Sequence, residues 1–542
     1  MNGTAYLDTF ANDNLPPREQ WPELLFELDE LQYPERLNCA HELLDAMVGK
    51  GHGDSIAVRG AGVSWTYAEL LERVDRIAGV LRNELKLVTG NRVLLRGANN
   101  PMMAACALAV WKAGYVAVPT MPLLRAKELG TIVKLARVDA VLCAADLRAE
   151  LDQACSDAEA PPRVLSFNDG APGSLDALMA SMPARFEAVD TAAEDVCLLS
   201  FTSGTTGRPK GTMHFHRDVL AICDCFPRSL LATQPGDVFI GTPPLAFTFG
   251  LGGLLLFPLR HGASTVLLEK LTPDALLAAI AQYRATVCFT APTFYRQMAP
   301  LASKYDLSSL TRSVSAGEAL PLQTRQLWQE ATGLAMIDGI GSTEMLHIFI
   351  SAAGDAIRPG ATGRPIPGYR ACILDDDGKP VEPGVVGRLA VKGPTGCRYL
   401  ADPRQLDYIC NGWNLTGDAY RMDEDGYYWY QARTDDMIIS SGYNIAGPEV
   451  EDALMQHPAV AECGVVGAPD AERGQLVLAY VVLRPGFDAT PEMAKTLQDH
   501  VKQTVAPYKY PRRIEFRAAL PRTDTGKLQR FKLRQEAKHI SE

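Results

Sequence analysis

Ten consecutive residues, Thr202–Gly211 (TSGTTGRPKG), hold four hydroxyl side chains, three glycines and one lysine. That mixture is poor material for the interior of a helix or strand. It suits a loop wrapped around phosphate. Glycines let backbone N–H groups approach the oxygens, hydroxyls add donors, and Lys210 brings one mobile cation. The segment directly follows an apolar run, Val196–Phe201, that reads as a strand. No G-K-[ST] triplet closes it, so it is not a Walker A loop. Thr202, Ser203, Gly204, Thr205, Thr206, Gly207 and Lys210 are candidate ligands of a polyphosphate.

Further polar segments follow in order. Ser315–Leu320 (SAGEAL) and Asp338–Glu344 (DGIGSTE) each close a β-prone run. Asn414–Tyr420 (NLTGDAY), Arg433–Asp436 (RTDD) and Pro521–Lys527 (PRTDTGK) come later. Taken alone, each reads equally well as a turn with solvated charges.

Together they mean more. TSGTTGRPKG closely resembles the phosphate loop of the acyl-adenylate-forming superfamily, which includes acyl- and aryl-CoA synthetases, peptide-synthetase adenylation domains and luciferases. The other segments stand in the order that family requires and cover most of the chain. The resemblance implies that Gly317 and Glu318 pack their backbone on adenine and that Asp338 sits beside its amino group. It puts Gly339, Ile340, Gly341 and Ser342 along the nucleotide, Thr343 near the α-phosphate, and Glu344 on Mg²⁺. Carboxylate and hydroxyl oxygens are hard donors suited to that ion. At the position before G-x-T-E, where the family often has an aromatic residue, this chain has Ile340. Asp418 would hold both ribose hydroxyls, since one carboxylate can accept two hydrogen bonds. Arg433 would touch the nucleotide, Asp435 would be the hinge between domains, and Ser441, Gly442 and Tyr443 would line the coenzyme A arm. Lys527 would be the catalytic lysine of adenylate formation.

The acid is less legible. Pro243–Leu259 (PPLAFTFGLGGLLLFPL) sets Phe247 and Phe249 before glycines, which suits a flat slot for a ring and equally suits core packing. DGIGSTEMLHIF is similar to benzoate-type CoA ligases, and the PPLAFTFGLGG stretch looks still more like 2-aminobenzoate-CoA ligases. That likeness puts His347 and Gly341 in the aryl pocket, with Ala291 beside them. The expected activity is ATP-dependent ligation of an aromatic acid to coenzyme A through an acyl-adenylate, in a degradative or a biosynthetic pathway. Loading of a carrier protein, a CoA ligase for a non-aromatic acid, and a luciferase-like oxygenase stay open at this point.

The elements that must position these residues follow from pattern. Thr66 and Glu69 form a capping box ahead of a stripe at Tyr67, Leu70, Leu71, Val74, Ile77 and Leu81. Strands are expected at 92–95, 115–119, 140–143, 196–201, 238–241, 264–268, 286–290, 312–316 and 335–340. Helices are expected over 101–112, 273–283, 292–301 and 321–331. Such alternation predicts an α/β fold of parallel, helix-covered sheets. Turn clusters after residue 365 predict a β-barrel-like piece, and from Asp435 a small mobile α+β domain. The expected domains are 1–434, binding ATP and acid, and 435–542, a lid carrying Lys527. The residues before Leu15–Pro17 read as an arm on the surface.

Composition agrees with such an enzyme. The 542 residues are 47% hydrophobic and 22% charged, enough to bury large cores. A net charge of -11 implies no nucleic-acid partner. Twelve cysteines, none at zinc-like C-x-x-C spacing, read as reduced buried thiols. No secretion signal or membrane span is legible, so a soluble cytoplasmic protein is expected, monomer or homodimer.

Overall fold

Two parallel sheets organise the residues that precede the polar turns. The computed structural model describes residues 3–156, 161–203, 209–440, 443–470, 473–505, 507–522 and 528–539. The six-stranded sheet runs, edge to edge, Arg163–Phe167, Ala140–Ala144, Arg92–Arg96, Val116–Thr120, Val196–Ser203 and Pro209–Phe215. Only its last pair is antiparallel. The nine-stranded sheet has six parallel strands, Met336–Gly341, Arg312–Ala316, Val287–Thr290, Val238–Gly241, Ser264–Val266 and Ile56–Gly60. Antiparallel strands close its edges: Ile348–Ser351 with Arg364–Pro365 on one side and Val63–Thr66 on the other.

The helices start where their caps dictate. In Tyr67–Asn83 both bonds of the Thr66–Glu69 capping box form, and Leu70, Val74, Ile77 and Leu81 are buried beneath it. Pro101–Lys112 and Pro273–Tyr283 each carry proline in the first turn, behind Asn100 and Thr272 side-chain caps.

The N-terminal residues correct one expectation. They are not a surface arm. Tyr6 and Ala11 are buried in the core of the six-stranded sheet, and Tyr6 Oη donates to Val196 O at 2.9 Å. An aromatic and an alanine in a polar stretch found a cleft that local composition does not reveal.

The chain divides into two compact units, Met1–Ala371 with Val391–Asn414, and Cys372–Ala390 with Leu415–Glu542. In the second unit, strand Gly474–Leu483 lies antiparallel to Val460–Asp470 and parallel to Arg513–Phe516. Helices Gly447–Met455 and Pro491–Thr504 cover one face through Val450, Leu454, Leu497 and Val501. Leu533 and Ala537 of helix Arg530–His539 cover Leu478 and Tyr480. Before this α+β layer, Trp413–Met422 and Tyr428–Arg433 make an antiparallel hairpin. The twelve cysteines are thiols rather than disulfides, and ten are buried. Among the described residues no helix is long and apolar enough to cross a membrane.

Candidate active site

Four parallel strands of the larger sheet end side by side, and the polar turns follow those ends. Val238–Gly241, Val287–Thr290, Arg312–Ala316 and Met336–Gly341 are neighbours in that order. Their C-terminal ends lead into Phe247 and Phe249, Ala291, Gly317 and Glu318, and Ser342–Glu344. Ligands of open α/β sheets bind at such carboxyl edges. Ser315 pairs with Asp338 and Ala316 with Gly339, so the SAGEAL and DGIGSTE turns leave the sheet together. Glu318 accepts from the Thr293 hydroxyl at 2.6 Å. Burial pushes the half-buried Asp338 carboxyl up to about 7, with Arg325 partly offsetting it.

The smaller sheet carries Thr202 and Lys210, with one correction. Thr202 pairs with Lys210 and Ser203 with Pro209, so the antiparallel ladder runs into the residues whose types indicated a loop. Lys210 is a strand residue. Register imposed by the apolar residues on either side of the hairpin outweighs the weak strand propensity of Pro209 and Gly211. Gly204, Thr205, Thr206 and Gly207 lie outside the described residues, as does the Ser203 side chain.

Lys210 and Glu344 meet through a residue that sequence reading missed. Lys210 Nζ donates to Tyr399 Oη at 2.8 Å, and Tyr399 Oη donates to Glu344 Oε1 at 2.5 Å. The two charges stand 3.7 Å apart. The segment around Tyr399 lies along the strand Pro209–Phe215, with Met213 N–H donating to Arg398 O and Leu400 N–H to Gly211 O, both at 2.8 Å. Beneath it, Arg398 and Asp218, both fully buried, pair at 2.7 Å. Burial alone would raise the Asp218 carboxyl. Arg398, His214 and Arg217 together outweigh it and hold the group below the usual carboxylate range. His214 Nε2 then donates to Thr343 O at 2.8 Å, tying this cluster to the turn that carries Glu344. The local signal that could have indicated it is the spacing of His214, near the end of the strand Pro209–Phe215, and Asp218, in the first turn of the helix His216–Ser229.

His347 sits three residues beyond Glu344 in a different medium. Its ring centroid lies 4.4 Å from that of Phe257, 5.7 Å from Phe249, 5.9 Å from Phe226 and 6.3 Å from Phe289. Desolvation lowers its imidazole to about 3, so the ring is neutral. Nε2 faces Phe249 O at 3.4 Å and therefore carries the proton, while Nδ1 is buried without a hydrogen-bond partner among the described residues. The close approach needs Gly252, where a Cβ would fall 2.4 Å from His347 Cδ2. One π-helical turn, Gly252–Leu256, places that glycine between the helical turns Thr248–Leu251 and Phe257–Arg260. Phe249 is half-buried beside the imidazole; Phe247 is 38% exposed.

In the second unit Asp418 and Arg433 face each other across the hairpin, 3.1 Å apart. Arg433 also donates to Thr416 O at 3.1 Å. Gly417 adopts φ +75°, where a Cβ would strike the Arg433 guanidinium at 2.6 Å. Asp435 lies in the short 3₁₀ turn Thr434–Asp436, and Tyr443 in the strand Tyr443–Ile445; neither side chain is described. Ser441, Gly442 and Lys527 lie outside the described residues.

Comparison with known proteins accords with this geometry. The AMP-binding enzyme family matches residues 46–399, and the AMP-binding enzyme C-terminal domain matches residues 449–527. A benzoate–CoA ligase of Thauera aromatica is 36% identical over 512 residues, 93% of this chain and 97% of the relative. A 3-hydroxybenzoate–CoA ligase of Aromatoleum sp. is 32% identical, covering 92% and 97%. Among solved structures, the anthranilate CoA ligase AuaEII in complex with anthranoyl-AMP superposes with a TM-score of 0.89 at 32% identity, covering 95% of this chain and all of that one.

Proposed function

The chain belongs to the AMP-binding enzyme family and is an AMP-forming CoA ligase, and on that premise we propose that its acid is aromatic, of the 2-aminobenzoate or benzoate type. The observation that carries this reading is the neutral His347 inside a shell of four phenyl rings, beside a glycine-lined helical turn. A flat apolar ring fits such surroundings. The unpaired Nδ1 favours a ring that carries a donor, an amino or hydroxyl group, because a buried acceptor left unpaired costs about 1–3 kcal/mol.

In this reading the acid's carboxylate oxygen attacks the α-phosphorus of ATP, pyrophosphate leaves, and the thiol of coenzyme A then displaces AMP. In-line displacement asks the protein chiefly for positioning and charge stabilisation. Lys210 and the Thr202–Gly207 segment hold the leaving phosphates, Asp338 the adenine amino group, and Asp418 with Arg433 the ribose end. Glu344, Thr343 and Ser342 offer hard oxygens that fit Mg²⁺, which would neutralise phosphate charge. Lys527 belongs to the first step, and rotation about Asp435 would exchange it for the thiol guided by Ser441–Tyr443. The 1–434 and 435–542 division describes that motion, whereas the compact units divide at 371/372, 390/391 and 414/415.

The test is coenzyme A-dependent AMP release with benzoate, 2-aminobenzoate, hydroxybenzoates and medium-chain aliphatic acids. Aromatic acids bearing a donor should give the highest kcat/KM. Turnover of aliphatic acids alone would sink the aromatic reading and leave the ligase.

A further inference from the structure

Between the lysine of the phosphate strand and the glutamate of the turn stands one hydroxyl whose task neither neighbour could perform. Lys210 has donors and no acceptor, and the Glu344 carboxylate only accepts. Tyr399 Oη does both, accepting at 2.8 Å and donating at 2.5 Å, while the charges stay 3.7 Å apart. The residue is also pinned. Its backbone N–H donates to the buried Gln405 side chain at 2.9 Å, and Gln405 in turn donates to Gln20 O at 2.9 Å. Tyr408 meets the Tyr399 ring edge-on at 5.9 Å, and the Lys210 ammonium lies 4.6 Å from that ring's centre.

We propose that Tyr399 is a positioning residue for the nucleotide: it keeps Lys210 and Glu344 apart and aimed, so that a triphosphate and its divalent cation meet two preset charges. The inference rests on Lys210 as phosphate ligand and Glu344 as cation ligand. With no hydroxyl between them, a lysine and a carboxylate close to about 2.8 Å, the usual charge-assisted distance. That direct pair must open before either charge can serve a ligand, so its formation weakens binding of both.

Calorimetry with α,β-methylene-ATP and Mg²⁺, without acid or coenzyme A, reads this step with no turnover. Tyr399→Phe should bind the analogue roughly 10-fold more weakly and need a correspondingly higher Mg²⁺ concentration, on the scale of one lost charge-assisted hydrogen bond. In turnover assays KM for ATP should rise while KM for the acid stays put. In a Lys210→Met background the same change should add less than about threefold, because partners in one network are not additive. Full additivity, or wild-type analogue affinity in Tyr399→Phe, would overturn the role of Tyr399 and leave the nucleotide site standing. Failure of the wild-type protein to bind the analogue would overturn both. If Tyr399→Phe does not fold, 3-fluorotyrosine at position 399 gives a fluorine resonance instead. That resonance should move on addition of Mg²⁺ and analogue, and its immobility would refute the proposal.

Discussion

Glu344 and His347 are three residues apart, yet one lies among charges and the other among phenyl rings. At Glu344 the buried carboxylate has a hydroxyl at 2.5 Å and an ammonium at 3.7 Å. A second buried pair, Arg398 with Asp218, stands behind it at 2.7 Å. At His347 four aromatic rings remove the charge altogether, and one nitrogen is left without a partner among the described residues. Leu346 makes the change of medium possible. It holds φ +68°, a left-handed conformation costing a residue with a side chain about 1–2 kcal/mol. The turn swings the chain from the polar end to the apolar one. The polar end holds charges in place, and the apolar end leaves one acceptor unmatched among the described residues.

The sharpest way to break the contrast is to strand a charge at the polar end. Asp218→Asn keeps the shape and leaves Arg398 buried without its counter-charge. Removing one partner of such a pair typically destabilises by about 3–5 kcal/mol, to be read by urea unfolding. A change below about 1 kcal/mol would mean that the cluster is wetter than its burial indicates.

At the apolar end the equivalent lever is volume. Gly252→Ala puts a methyl group where His347 Cδ2 already sits at 2.4 Å, and the helical turn or the imidazole must shift. Overpacking of this kind costs about 1–3 kcal/mol. It should lower kcat/KM for aromatic acids without changing affinity for the ATP analogue. Equal loss for acid and nucleotide would show that the two ends are not separate sites.

Much of this frame is legible in the sequence. Pro101–Lys112 and Pro273–Tyr283 fall where proline, cap and apolar spacing place them, and the Thr66–Glu69 box forms as its residues require. Those are local signals. Tyr399 bonds to partners 189 and 55 residues away, and Arg398 to one 180 away, so no window of sequence could join them. The strand at Pro209–Phe215 escaped for a related reason: pairing with Val196–Ser203, rather than propensity, makes it. His347 was placed by likeness, whereas its tautomer needed the Phe249 carbonyl.

Asp338 tests the polar end by pH. Its carboxyl is raised to about 7, so the folded protein keeps a proton that the unfolded chain releases near 4. The stability it contributes is therefore full in acid and is lost as pH rises through about 7. If Asp338 holds the adenine amino group as proposed, nucleotide binding runs the other way, since only the ionised group accepts from the amino group without competition. KM for ATP should fall about tenfold from pH 6 to pH 8, and Asp338→Asn should flatten that slope. A slope unchanged in the variant would assign the titration elsewhere.

The finest distinction concerns the unpaired nitrogen of His347. His347→Phe keeps an aromatic ring in the shell and deletes the Nδ1 acceptor. Benzoate, which has no donor to offer, should be used about as well as before. For 2-aminobenzoate the loss should be that of one neutral hydrogen bond, about 0.5–1.5 kcal/mol in kcat/KM. The ratio of the two acids is the quantity to measure, because any general loosening of the shell cancels in it. Above pH 6 the ratio should be flat in the wild-type enzyme, since an imidazole lowered to about 3 does not titrate there. If the variant lost both acids equally, Nδ1 would be a packing remnant, and the preference for a donor on the ring would have to come from another group.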